Sequence, residues 1–191
     1  MSDRPRISPE PFAREYLAAI GRAASWIDYQ HDIDWTPTAI EAGESACTNL
    51  KLRPSREYLR LDVMGYWRRG RRNDWDLCVA MEHENRDNWD DELCKLSHVV
   101  ADLRVIVSYH DFSCANKLVG VIGDRVTRMK DRMHLVPESE WLFVFGPRVR
   151  SVKKGHVHYE CFTMRDKQVV PIDSCNRLLD VSKFRDFSAT L

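Results

Sequence analysis

Two kinds of apolar pattern alternate along this chain. In three stretches apolar residues return every three or four positions, the spacing that lines one face of a helix. The first is Phe12, Tyr16, Ile20, Ala24 and Ile27; the second is Trp89, Leu93, Leu96 and Val100; the third is Leu118, Val121, Ile122, Val126 and Met129. Elsewhere the apolar residues alternate or run together over strand lengths, at 58–67, 74–83, 103–109, 141–147, 157–164 and, shorter, 168–172. Ser8 and Pro9 are placed as N-cap and first residue of the opening helix. Pro37 breaks the loop after that helix, and 39–52 is expected to hold a short second helix. Asp87 or Asn88 can cap the helix that starts near Trp89, whose acidic first turn suits a helix N-terminus.

The predicted order is helix, helix, strand, strand, helix, strand, helix, strand, strand. The strand–helix–strand run through 75–109 has the length of a βαβ unit, which makes its two strands parallel. An α/β fold follows, with a mixed central β-sheet flanked by helices. Neither an internal repeat nor a linker marks a boundary, so residues 1–191 are expected to form one domain.

Chemistry enters where the second strand ends. The run Trp75-Asp76-Leu77-Cys78-Val79-Ala80-Met81 reads as a buried strand, and it finishes in Glu82-His83-Glu84-Asn85. Side chains i and i+2 of a strand share a face, so Glu82 and Glu84 project together and His83 opposite. If strands 58–67 and 74–83 pair as a hairpin, Asp62 can join them. Three hard oxygen donors at a sheet edge suit Mg²⁺ or Mn²⁺. The competing reading makes Glu82 and Glu84 solvated charges on the open face of a hairpin. On the following helix, Glu92 and Lys95 stand three apart, and an ion pair within the helix is expected ahead of a role for either at the acids.

Asp62 in one strand, Glu82-His83-Glu84 ending the next, and the helix and strand that follow resemble the PD-(D/E)XK nucleases, the restriction-endonuclease-like superfamily. The resemblance covers residues 55–110, a little under a third of the chain. Leu61 stands where the family's proline would be, and Glu84 where its lysine usually stands; some restriction enzymes of this fold carry Glu there. The resemblance implies a restriction-endonuclease-like fold and a divalent-metal-dependent nuclease, with Asp62, Glu82 and Glu84 as catalytic and metal-binding residues and Mg²⁺ or Mn²⁺ as cofactor. The His83 carbonyl can add a ligand, and Glu84 can orient or deprotonate the attacking water. DNA is the implied substrate, and a homodimer or larger complex the implied assembly. The family also holds inactive members, so a nucleic-acid-binding or regulatory protein on the same fold is the alternative.

Composition narrows the setting. With 43% hydrophobic and 30% charged residues this is an ordinary globular sequence. No apolar run reaches bilayer length, and the N-terminus lacks a signal-peptide core, so a cytoplasmic protein without membrane contact is expected. Six cysteines without metal-like spacing are expected to be reduced thiols. Net charge is zero, yet two stretches are purely basic. Arg68, Arg69, Arg71 and Arg72 lie between the two acid-bearing strands; Arg148, Arg150, Lys153 and Lys154 lie between strands 141–147 and 157–164. Local cation clusters of this kind neutralise phosphates, and both are candidate nucleic-acid contacts, the first preferred because it joins the acid-bearing strands. Solvated hairpin turns are the alternative.

Overall fold

A computed structural model describes residues 4, 6–23, 35–58, 60–68, 74–85, 88–110, 115–129, 139–147, 156–166 and 168–180. The elements run α1 (Pro9–Ala23), α2 (Trp35–Asn49), β1 (Arg53–Tyr58), β2 (Leu61–Arg68), β3 (Trp75–Glu84), α3 (Asp90–Ser97), β4 (Leu103–His110), α4 (Ala115–Met129), β5 (Glu140–Pro147), β6 (His156–Arg165), β7 (Gln168–Pro171) and β8 (Arg177–Asp180). Seven strands form one mixed sheet in chain order, β1 to β7, and β8 pairs with the first half of β6. The pairs β3–β4 and β4–β5 are parallel, with α3 and α4 as their connecting helices; the other pairs are antiparallel. The mixed α/β architecture thus matches the expectation from sequence, and so do the parallel strands of the βαβ unit.

Each face of the sheet is sealed by a different helix pair. Val63, Met81, Val105, Val107 and Val144 pack against Phe12, Leu17 and Ile20 of α1 and Ala42 and Ala46 of α2. Met64, Ala80, Ile106, Phe143 and Phe162 pack against Leu93 and Leu96 of α3 and Leu118 and Ile122 of α4. β4 is buried along its whole length, which is why it reads as a continuous apolar run.

Several boundaries depart from the sequence reading. The expected strand 58–67 is split: β1 ends at Tyr58 and β2 begins at Leu61, with Arg60 in the left-handed region at φ 62°. Trp89, buried, occupies the N-cap of α3 with no side-chain cap bond, so Asn88 is not the cap, and Asp87 lies outside the described residues. Val100 falls beyond the helix and is 71% exposed rather than part of its apolar stripe. Cys47, Cys78, Cys161 and Cys175 are buried free thiols and Cys94 is a half-buried one, while Cys114 lies outside the described residues. Among the described residues no helix is long and apolar enough to cross a membrane.

Candidate active site

Asp62 is the second residue of β2, and Glu82 lies near the end of β3. The antiparallel register pairs Val63 with Met81, which sets Asp62 across from Glu82 one step further on. The backbone N–H of His83 donates to Asp62 Oδ2 at 2.7 Å, fixing that carboxylate against the neighbouring strand. Residues opposed across two strands share a face. Glu82 is met by Lys95 of α3. His83 points into the other layer, where its Nε2 is 3.0 Å from the Tyr109 hydroxyl. The predicted division, with Asp62, Glu82 and Glu84 on one face and His83 on the other, therefore agrees with the pairing.

Glu82 is almost fully buried, its side chain 3% exposed, and Lys95 Nζ donates to its Oε1 at 2.8 Å. The same ammonium donates to the carbonyl of Arg60 at 3.0 Å, so the tight β1–β2 turn helps hold the lysine over the acid. Burial drives the Glu82 carboxyl from 4.5 up to about 8, with the charges of Asp62 and Glu92 pushing the same way and Lys95 opposing. Lys95 is itself 37% exposed, so its charge is shared with water and burial prevails. A fourth acid joins from α3: burial, together with the charges of Glu84 and Asp91, raises the Glu92 carboxyl, and its Oε2 is buried with no hydrogen-bond partner among the described residues. Asn85 does not face this group; its Nδ2 donates to Thr36 Oγ1 at 2.6 Å, tying the end of β3 to α2.

Three sequence expectations change here. Lys95 forms its ion pair with Glu82 on the sheet instead of within α3. The sequence gives a faint signal for this, since a short helix that follows an acid-tipped strand packs back over it, and Lys95 stands in the last turn of that helix. Secondly, Asp62, Glu82 and Glu84 do not converge on one point: among the described residues no three His, Cys, Asp or Glu side chains gather closely enough to hold a metal ion. Residues i and i+2 are spaced about 6.6 Å along a strand. Electrostatically Glu82 couples to both Asp62 and Glu92, and Glu92 couples in turn to Glu84. The acids thus form a chain linked through Glu92. An ion that takes one or two carboxylates and completes its shell with water and phosphate oxygens would have the adjacent Asp62 and Glu82 to use, of which Glu82 is already met by Lys95; Glu84 as a third ligand does not fit.

The third change concerns the basic connections. Arg68 pairs with Trp75 at the far end of the hairpin, six residues along β2 from Asp62, or about 20 Å at strand spacing. The arginine-rich connection therefore leaves the sheet at the end away from the acids. The other basic stretch starts at the acid end: Glu84 pairs with Ser108 on β4, and two residues on His110 pairs with Pro147, the last residue of β5. Arg69, Arg71, Arg72, Lys153 and Lys154 lie outside the described residues.

No protein-family model and no curated protein matches this sequence. Among solved structures, the central domain of yeast acetyl-CoA carboxylase aligns with 96% of this chain at 10% identity and a TM-score of 0.47. This chain spans 33% of that one.

Proposed function

We propose that this chain is a divalent-metal-dependent nuclease of the PD-(D/E)XK type that hydrolyses phosphodiester bonds in DNA. The observation that carries the reading is Asp62 beside Glu82 at one end of the β2–β3 pair, with Lys95 reaching Glu82 from the helix that follows. Antiparallel β2 and β3, then α3 and a parallel β4, is the arrangement the resemblance implies. Lys95 brings to the site, from α3, the cation that the family places two residues after its second acid, where this chain has Glu84.

Asp62 and Glu82 would hold Mg²⁺ or Mn²⁺, which supplies Lewis-acid polarisation of the phosphate and a water ionisable near neutral pH. Lys95 favours the ionised form of Glu82 and adds positive charge where negative charge develops on the phosphate oxygens. Glu84, half-exposed at the strand end, orients the attacking water, and the Glu84–Glu92 pair offers a carboxylate to take its proton. The water oxygen forms the new P–O bond as the bond to the leaving sugar oxygen breaks. Cutting both strands of a duplex requires two such sites, hence a homodimer or a larger complex.

The test is cleavage of plasmid, linear duplex, single-stranded DNA and RNA by the purified chain with Mg²⁺ or Mn²⁺, against the same mixtures in EDTA. Asp62→Asn and Glu82→Gln should each lower the metal-dependent rate by about 100-fold or more, and Lys95→Ala by about 10-fold or more. Undiminished cleavage by Asp62→Asn, or by the wild type in EDTA, would sink the reading. The second reading, a nucleic-acid-binding protein without cleavage, draws on the Lys95–Glu82 pair, which already occupies one oxygen of the acid. Salt-sensitive DNA binding with no cleavage under any metal would select it.

A further inference from the structure

At the end of the hairpin remote from the acids, two arginines share one indole. The guanidinium of Arg53 lies over the Trp75 ring at 5.3 Å from its centroid, and that of Arg68 at 5.5 Å. Both arginines are exposed and Trp75 is half-buried. They come from three strands, β1, β2 and β3, brought side by side by the pairings Arg53–Tyr66 and Arg68–Trp75. Their sheet face is known from their neighbours. Tyr66 and Leu77 pack against the α3–α4 layer, and alternation along the strands puts Arg68, Trp75 and Arg53 on that same side. Glu82 faces that side too, since Lys95 of α3 reaches it. One sheet face thus carries the acids at one end and paired guanidiniums at the other, about 20 Å apart along β2.

Two like charges held against one ring are an arrangement suited to an anion. The quadrupole of the indole steadies each guanidinium at the exposed end of the hairpin. Among the described residues no carboxylate pairs with Arg53. We propose that Arg53, Arg68 and Trp75 form a phosphate clamp for the backbone of double-stranded DNA, remote from the bond that is cut. The proposal deepens the nuclease reading and rests on it. A duplex is favoured over a single strand because the indole is engaged by the arginines. At about 3.4 Å per phosphate along one strand, about 20 Å corresponds to roughly six nucleotides between clamp and cleavage site.

The experiment uses the full chain carrying Asp62→Asn, so that binding is read without cleavage, with labelled duplexes of about 6 and about 20 base pairs over a salt series. Adding Arg53→Ala and Arg68→Ala should reduce the slope of log affinity against log salt by about 2 on the long duplex, close to 0.9 for each phosphate no longer neutralised. Binding of the short duplex, centred on the acids, should stay the same. Circular dichroism establishes that the variant is folded; should it not be, Arg53→Gln and Arg68→Gln singly should each lower the slope by about 0.9. An unchanged slope on the long duplex overturns the clamp, and so does an equal loss on both duplexes or a loss confined to single-stranded DNA. If the unsubstituted arginines already give no DNA binding at all, the nuclease reading falls and the clamp with it; an unchanged slope in a protein that does bind removes the clamp alone.

Discussion

Glu82 and His83 are neighbours in opposite layers of the molecule, and their titrations shift in opposite senses because burial disfavours the charged form of each, a carboxylate in one and an imidazolium in the other. Burial raises the Glu82 carboxyl from 4.5 to about 8 and lowers the His83 imidazole from 6.5 to about 4. For Glu82 the folded state holds a proton that the unfolded chain has lost. Its stabilising effect is complete below pH 4.5 and disappears as pH rises through 8. His83 stays neutral in the fold while the unfolded chain takes up a proton below 6.5, so its contribution is lost as pH falls from 6.5 toward 4. Between pH 6.5 and 8 only Glu82 of this pair changes. Urea denaturation should show stability falling across that window by up to about 2 kcal/mol, the limit for one proton over 1.5 pH units. Glu82→Gln, which keeps the shape and removes the titration, should flatten the fall. A wild-type stability that climbs over the same window would contradict the buried, proton-holding carboxyl.

At the scale of elements, what the sequence made legible was whatever burial writes locally. β3, β4 and β5 are filled on both faces and appear as apolar runs, while α3 shows its stripe through Leu93 and Leu96. β1 was not legible, because Arg53–Tyr58 is a polar edge strand carrying Pro54, a residue tolerated only where one side of the strand lacks a partner. Lys95 was missed for the same reason in reverse: its partner is 13 positions away and is reached only once α3 folds back over β3. Glycines also separate pattern from packing. Gly120 interrupts the expected helix α4, yet a Cβ there would meet nothing within 4 Å. Gly65 sits where β2 and β3 shift register, and a Cβ would come to 2.7 Å from Cys47 Sγ and 2.9 Å from Leu52 Cδ1. Gly120→Ala should therefore stabilise the protein by up to about 1 kcal/mol. Gly65→Ala should destabilise it by about 1–3 kcal/mol through overpacking between α2 and the sheet. Thermal unfolding of the two variants decides this, and matching signs would mean that the packing at one of them is misread.

For the whole molecule the governing fact is direction. β3, β4 and β5 run parallel, so their carboxyl ends gather Glu82, Glu84, Ser108, His110 and Pro147 at one end of the sheet, the end at which open α/β sheets bind ligands. This polarity was half readable in the sequence. Asp62 opens its strand and Glu82 closes the next, so a hairpin connection between the two strands has to fall at the opposite end. The arginine connection expected beside the acids therefore starts at the end away from them. Two basic stretches in a chain of zero net charge thus start from opposite ends of the sheet, one after Arg68 and the other after Pro147. On the nuclease reading, their effects on catalysis should differ in kind. Neutralising Lys153 and Lys154 should raise KM for duplexes of every length and lower the salt slope by about 2, because the stretch begins where the scissile phosphate would lie. Neutralising Arg69, Arg71 and Arg72 should leave short duplexes unaffected and weaken only those that extend more than roughly six nucleotides from the cut. In both variants kcat at saturating substrate should hold, since neither group belongs to the acid–lysine constellation. Steady-state kinetics on a ladder of duplex lengths reads both effects in one experiment. A rise in KM on short duplexes from the arginine variant, with none from the lysine variant, would reverse this assignment of the two ends.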